Sequence, residues 1–324
     1  MSLNKLKTTR AISCAAITAL VGFGLLAGCD SSGAQGTGEN ALVDTGPNAQ
    51  LSNKELAARA LSDMKALNSF EVNFTEELKD LHWDPTLRSY QPGTTGELSS
   101  TMTITARIQA PNKGNYFKIL YNDSEDLGPD QEASFQTGFL RSNHITDLIL
   151  TEKELYVSTD GGKGWIEEGP GSAGFILLPV VQYVEPFGMR NSNLGNPDYL
   201  GYIIKGAVFA DGKPGLEEIE GTITRHMVAT LDKATPGATE DPYTTPTWWY
   251  ERVDSLEMWV STGAEPRIAR MNIVVRSKID EFLRQQMKLP DQVLYNLEWT
   301  FSRFNEDLGM IDAPLPSALF TPSP

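Results

Sequence analysis

The chain has 324 residues and a formal net charge of −15, from 42 acidic against 27 basic side chains. A body this acidic lacks the electrostatic footprint of a nucleic-acid binder, and anionic membrane surfaces repel it. Its two cysteines are Cys14 and Cys29, and neither is left to serve a disulfide, a zinc site or a nucleophile once the N-terminal segment is taken into account.

Lys5, Lys7 and Arg10 open the chain, and Ala11 to Leu26 is almost unbroken apolar or small sequence. That is the layout of a secretory signal peptide, too short for a spanning helix with its own flanks. Leu26-Ala27-Gly28-Cys29 resembles the bacterial lipobox. There the cysteine after the small pair is alkylated by diacylglycerol and the preceding peptide is removed. The alternative is an ordinary cleaved signal with a chance cysteine. The lipobox reading removes residues 1–28, places lipid on Cys29 and moves the net charge from −15 to −18, because three basic and no acidic groups are lost. No later apolar run approaches the length of a spanning helix. Attachment therefore comes from acyl chains, each buried methylene contributing ~0.8 kcal/mol. The expected location is the extracytoplasmic face of the cell membrane.

After Cys29, Asp30 to Gln50 is rich in Ser, Gly, Gln, Thr and Asn. Residues 29–51 read as a lipidated cysteine and a flexible tether, with a reach of roughly 25 Å. Folded structure is expected from Ser52, a capping-box residue with Glu55 three positions on. Leu56, Ala60, Leu61, Met64 and Leu67 follow at helical spacing.

The period then changes to two. Phe70, Val72, Phe74 and Leu78 alternate with polar residues, as do Met102, Ile104, Ala106 and Ile108. Asn115 to Tyr121 and His144 to Ser158 read as extended. Asp160-Gly161-Gly162 makes a tight turn into a short strand bearing Trp165. Phe175 to Met189 is the second stretch of helical material. Ile219 to Leu231 reads as one strand with Ile223, Met227 and Leu231 on one face. Ser255 to Thr262, Ile268 to Ile279 and Val293 to Phe304 complete the strands, the last with Val293, Tyr295, Leu297, Trp299 and Phe301 on one side. Polar, Pro- and Gly-rich insertions fall at 79–97, 122–138, 190–198 and 233–247.

Long sheets with one apolar face must cover it. This one either closes on itself or curls around its few helices and leaves a cavity. No internal repeat or shift in composition divides the body, so 52–316 is read as a single domain and 317–324 as a C-terminal tail.

Catalytic patterns are missing from the sequence. There is no Gly-x-Ser-x-Gly elbow, no His-Glu-x-x-His and no phosphate-binding Gly loop. His82, His144 and His226 are never at metal-ligand spacing, and His226 reads as a hydrogen-bonded structural residue. Asp123, Glu125 and Asp126 fail as a calcium loop, because Leu127 and Ser134 fall at two ligand positions. No cofactor or metal is implied. Trp248-Trp249-Tyr250 reads first as packing at a loop edge, with contact to a lid or sugar as the alternative. Phe175 to Val181 reads equally as core packing or as the roof of a ligand hollow.

Four stretches resemble the actinobacterial lipoproteins of the LppX/LprAFG group, relatives of the LolA-like carriers. They are the lipobox with its Ser/Gly spacer, Leu155-Tyr156-Val157 leading to Trp165, Gly221 to His226 ending in Thr230-Leu231-Asp232, and Trp299 to Phe304 running on to Ile311-Asp312-Ala313-Pro314. The body is longer than is usual for the group, and Met227 replaces the aromatic residue often found after the histidine. The resemblance implies an α+β fold, a single strongly curved antiparallel sheet (a LolA-like half-barrel) with a few helices against its concave face. It also implies binding or transfer of a lipid or lipoglycan.

On that reading the ligand lies against Phe74, Ile104, Ile119, Met227, Met258, Ile273, Tyr295 and Trp299, without catalysis. Each is equally expected in a filled core. The other reading is therefore a surface-anchored interaction module that binds a protein partner or wall polymer. A cavity of a few hundred Å³ separates the two.

Overall fold

The computed structural model describes residues 42–79, 81–84, 89–92, 98–123, 144–169, 176–177, 180–190, 194, 198–210, 215–231, 253–278 and 292–320. Cys29 and the whole of the leader lie outside them.

Helix α1 (Asn53–Lys65) begins where the capping box places it. The Ser52 hydroxyl accepts from the Glu55 N–H, and the Glu55 carboxylate accepts from the Ser52 N–H at 3.0 Å. Its inner stripe, Leu56, Ala57, Ala60, Leu61 and Met64, is buried.

Twelve strands form one antiparallel sheet. In chain order they are β1 (Ser69–Lys79), β4 (Leu98–Gln109), β5 (Asn115–Asp123), β6 (Asp147–Leu150), β7 (Leu155–Ser158), β8 (Ile166–Glu168), β9 (Ala207–Phe209), β10 (Gly215–Ile219), β11 (Thr222–Leu231), β12 (Val253–Ser261), β13 (Ile268–Lys278) and β14 (Gln292–Ser302). A separate hairpin, β2 (Leu81–Asp84) with β3 (Ser89–Pro92), falls inside the insertion at 79–97. The spatial order is β10-β11-β12-β13-β14-β1-β4-β5-β6-β7-β8, with β9 also on β11. The sheet is open and curved, a half-barrel of the α+β class, with helices against its concave face. The first and last long strands, β1 and β14, meet at its middle.

Several local expectations are refined. His144 to Ser158 is not one extended run but the hairpin β6–β7, and Ile219 to Leu231 is split into β10 and β11 by Glu220 and Gly221, both at positive φ. Ile223, expected on the buried face with Met227, is 39% exposed because it lies at the strand end beside that turn. Within Phe175 to Met189 the described helical residues are 176–177 and 180–184. Helix α2 (Tyr199–Gly206) was not anticipated. Asp198 caps it, its carboxylate accepting from the Gly201 N–H at 2.9 Å, and Leu200, Ile203 and Ile204 turn inward.

The two rims of the sheet differ. At one, neighbouring strands are joined by the short turns 110–114, 151–154, 220–221 and 262–267; at the other, 80–97, 124–143, 232–252 and 279–291 link successive strands of the sheet.

Residues ahead of Ser52 already belong to the body. The Arg225 guanidinium is the hub, donating to the carbonyls of Leu51 and Ala49 at 2.7 Å each and to Asp44 Oδ2 at 2.8 Å. Thr262 Oγ1 donates to Asp44 Oδ1 at 2.6 Å, and the Asn48 N–H donates to the Thr262 carbonyl at 3.1 Å. This clasp fixes residues 44–51 at the short-turn rim. After β14 the chain crosses to the convex face, where the Ile311 N–H donates to the Lys113 carbonyl and Trp165 exchanges bonds with Ala318 and Phe320. Ile149, Tyr156 and Trp165 are buried beneath this strap.

Candidate functional site

Antiparallel pairing turns alternation along each strand into rows across the sheet, because directly opposed residues share a face. The concave face carries one row in which Ile119, Ile104, Phe74, Trp299, Met271, Met258 and Met227 oppose each other in turn across seven strands. Six of the eight residues singled out from the sequence stand in it. Ile273 belongs to the next row, between Leu297 and Leu256, and Tyr295 to the row beyond, opposite Leu78 and Val275. The structure thus brings all eight onto one floor. It adds Met271, which completes a run of three adjacent methionines and has the same strand parity as Ile273.

This floor is covered. Phe74, Ile104, Met258 and Trp299 expose nothing, Ile119, Met227 and Ile273 1% each, and Tyr295 is half-buried against the same cluster. The cover comes from the inner stripe of α1, from Val180, Tyr183, Val184 and Phe187, and from Leu200, Ile203 and Ile204 of α2. Ring contacts weld the centre: Phe74 stacks on Tyr183 with centroids 4.8 Å apart and lies 5.0 Å from Trp299, while Phe70 meets Phe187 at 5.4 Å. The Trp299 indole N–H donates to the Tyr183 carbonyl.

Two acidic groups interrupt the apolar lining. Glu76, 3% exposed, stands between Met102 and Leu297 and bonds to the Tyr183 hydroxyl. Burial, and then the charge of Glu76, hold that hydroxyl's pKa well above the ordinary tyrosine value. Glu185 ends the helical residues 180–184, and its Oε1 accepts from the Met189 N–H at 2.9 Å. Burial pushes its carboxyl up to about 8. Sequence patterning gave no sign of either group, since a Glu at an apolar-face position looks like an error of alternation until its partner is known.

On the convex face His226 is the structural residue expected. Its ring stacks on Trp259 at 4.2 Å, with Nδ1 3.1 Å from Glu217 and Nε2 3.0 Å from Glu257. Arg270 lies 4.8 Å from the Trp259 ring centroid. His144 is in an exposed turn; the side chain of His82, the acidic loop at 125–134 and Trp248-Trp249-Tyr250 lie outside the described residues. Among the described residues no three His, Cys, Asp or Glu side chains are grouped to hold a metal ion.

Compared with known proteins, the chain matches no family model and no curated protein. Among solved structures it is similar to LprF from Mycobacterium bovis at 15% identity and a TM-score of 0.43, over 80% of this chain and 95% of that one. It is also similar to a DUF1329 family protein from Desulfovibrio piger at 11% identity and a TM-score of 0.24, over 83% and 96% of the two chains. At such identities function rests on the site itself.

Proposed function

We propose that the chain is a lipid-anchored cell-envelope protein, tethered through Cys29, whose half-barrel holds a hydrophobic ligand, a lipid or lipoglycan, without covalent chemistry. The observation that carries this reading is the apolar row that crosses seven strands and is closed by separate helices. A sandwich covers such a face with a second hydrogen-bonded sheet. Here the cover is helices outside the ladder, whose displacement would leave every ladder bond of the sheet intact. The floor has a stiff aromatic half around Phe74 and Trp299 and a pliant half of Met271, Met258 and Met227. Unbranched thioether side chains repack around irregular apolar shapes.

The ligand would lie against Phe74, Ile104, Ile119, Met227, Met258, Ile273, Tyr295 and Trp299. Burial contributes roughly 25 cal/mol per Å² of apolar surface, and that gain must exceed the cost of displacing α1 or the 180–187 segment. Native mass spectrometry of a soluble form starting at Asp30, followed by organic extraction, tests this. A reproducible added mass that extracts as lipid or lipoglycan is the expected result. A bare protein mass together with failure to take up a fluorescent fatty acid overturns it.

One observation favours a second reading: the floor residues are already covered by the protein's own side chains. In that case the body is an interaction module with a filled core, and its partner is a protein or wall polymer.

A further inference from the structure

The edge of the half-barrel carries two short strands. β9 stops at Phe209 and β10 starts at Gly215, both pairing with β11. Beside them lies a cleft of about 800 Å³, walled on one side by residues 49–54 and on the other by residues 207–210 and Leu216. That volume is within the ~300–1,000 Å³ usual for small-molecule sites. Leu51, Phe209, Ala210 and Leu216 supply apolar wall.

Two cations, Lys54 and Arg225, and one carboxylate, Asp44, line it. Lys54 donates to the carbonyls of Lys205 and Ala207 at 3.2 and 3.4 Å, and among the described residues no carboxylate pairs with it. The Arg225 side chain, 6% exposed, gives its two terminal nitrogens to the clasp, while its Nε–H has no hydrogen-bond partner among the described residues. Asp44, also on the wall, has its charge matched by Arg225 at 2.8 Å. The N-terminus of α1, a helix of 13 residues, opens on the same space and adds partial positive charge. In a chain of net charge −15, this is a local cationic site against an apolar wall. A guanidinium with a buried, unpartnered N–H is incompletely compensated, and a nearby anion compensates it best.

We infer that this edge cleft binds the anionic head group, phosphate or carboxylate, of a single-chain amphiphile, through Lys54, with the charge of the Arg225 guanidinium behind it. The proposal rests on the lipid-binding reading for the class of ligand but places the head group at the sheet edge. Arg225 precedes Met227 by two positions on β11 and shares its face, so the chain of a bound amphiphile would start at the methionine end of the floor.

The test uses the soluble form starting at Asp30, delipidated and titrated with a pyrene-labelled fatty acid. Competitors are an unlabelled fatty acid, a monoacylglycerol phosphate and a neutral monoacylglycerol of equal chain length. Two variants at exposed positions, Lys54→Gln and Ala210→Trp, are checked for folding by their melting curves. Either anion is expected to displace the probe at least tenfold better than the neutral lipid. Lys54→Gln should remove most of that preference, and Ala210→Trp, which fills the cleft, should abolish probe binding. Equal displacement by the neutral lipid, or wild-type affinity in both variants, overturns the cleft and leaves the hollow standing. Absence of binding by every probe overturns both. The stronger of the two anions identifies the head group.

Discussion

Phe74 and Trp299 oppose each other across β1 and β14, rings 5.0 Å apart, at the seam where the first and last long strands of the sheet join. The seam separates 225 positions in sequence and yet sits at the middle of the floor, with Tyr183 stacked over Phe74. Trp299→Ala removes the largest fully buried side chain and is expected to cost ~3–5 kcal/mol. Trp299→Phe keeps most of the volume but loses the N–H to the Tyr183 carbonyl, for about 1–2 kcal/mol. Urea midpoints of the two variants give the values; a loss in Trp299→Phe as large as in Trp299→Ala would show that the indole N–H, rather than packing, holds the seam.

The buried carboxyl of Glu185 ties stability to pH. Burial raises it to about 8 against the backbone N–H groups of Met189, Phe187 and Gly188, which pull it down, and Asp198 adds to the rise. In the unfolded chain it titrates near the model value of 4.5. Between these values the folded protein keeps a proton that the unfolded chain has released, so stability falls as pH climbs from about 4.5 to about 8. Glu185→Gln should flatten that slope and be the more stable protein at pH 8, by on the order of a few kcal/mol. Denaturant midpoints at pH 5 and pH 8 decide it.

The clasp is expected to behave oppositely. Burial raises the Asp44 pKa, but hydrogen bonds from Thr262, Arg225 and the Gly46 N–H outweigh it and hold the carboxyl below 3.8. Its contribution is therefore complete above about 4 and is lost as pH falls through the lowered value. Asp44→Ala should cost roughly 1–3 kcal/mol and speed amide exchange across residues 46–51 while α1 stays protected. Unchanged exchange there would mean that Arg225 holds the segment through the Leu51 and Ala49 carbonyls alone.

Gly114 sits at φ 74°, and a Cβ there would lie 2.5 Å from the Ile311 carbonyl oxygen. Both the backbone conformation and the close approach of the C-terminal strap demand glycine. Gly114→Ala should destabilise by roughly 1–3 kcal/mol and expose residues 311–320 to limited proteolysis ahead of the rest of the body.

Cys29→Ser tests the anchor. The unmodified variant is expected in the aqueous phase on detergent partition, whereas the wild-type chain enters the detergent phase with an N-terminal peptide heavier by the diacylglyceryl group. Wild-type partition into the aqueous phase would point to an ordinary cleaved signal.

Much of the floor was legible because a half-buried strand declares its parity, and eight residues chosen by parity alone fall within three adjacent rows. The capping box of α1 was legible for a similar local reason. Openness of the sheet was not, since alternation is the same whether the edges meet or part. Helix α2 escaped because eight residues between polar insertions hold too few turns to establish a period. The clasp escaped for a different reason. Asp44 lies in sequence with a linker's composition, and its partner Arg225 is 181 positions away. The one available sign was Arg225 itself, a cation at the parity of Met227 and Ala229 on an otherwise apolar strand face.

The clasp also decides where force would enter the molecule. If the chain is held at Cys29, as proposed, a pull from that side meets the described body first at residues 44–51. Such a pull would be delivered to Arg225 on β11 and to Thr262 in the β12–β13 turn, upstream of Ser52. α1, which covers the floor, would thus be mechanically insulated from drag at the membrane. The load would pass into the sheet at its short-turn rim.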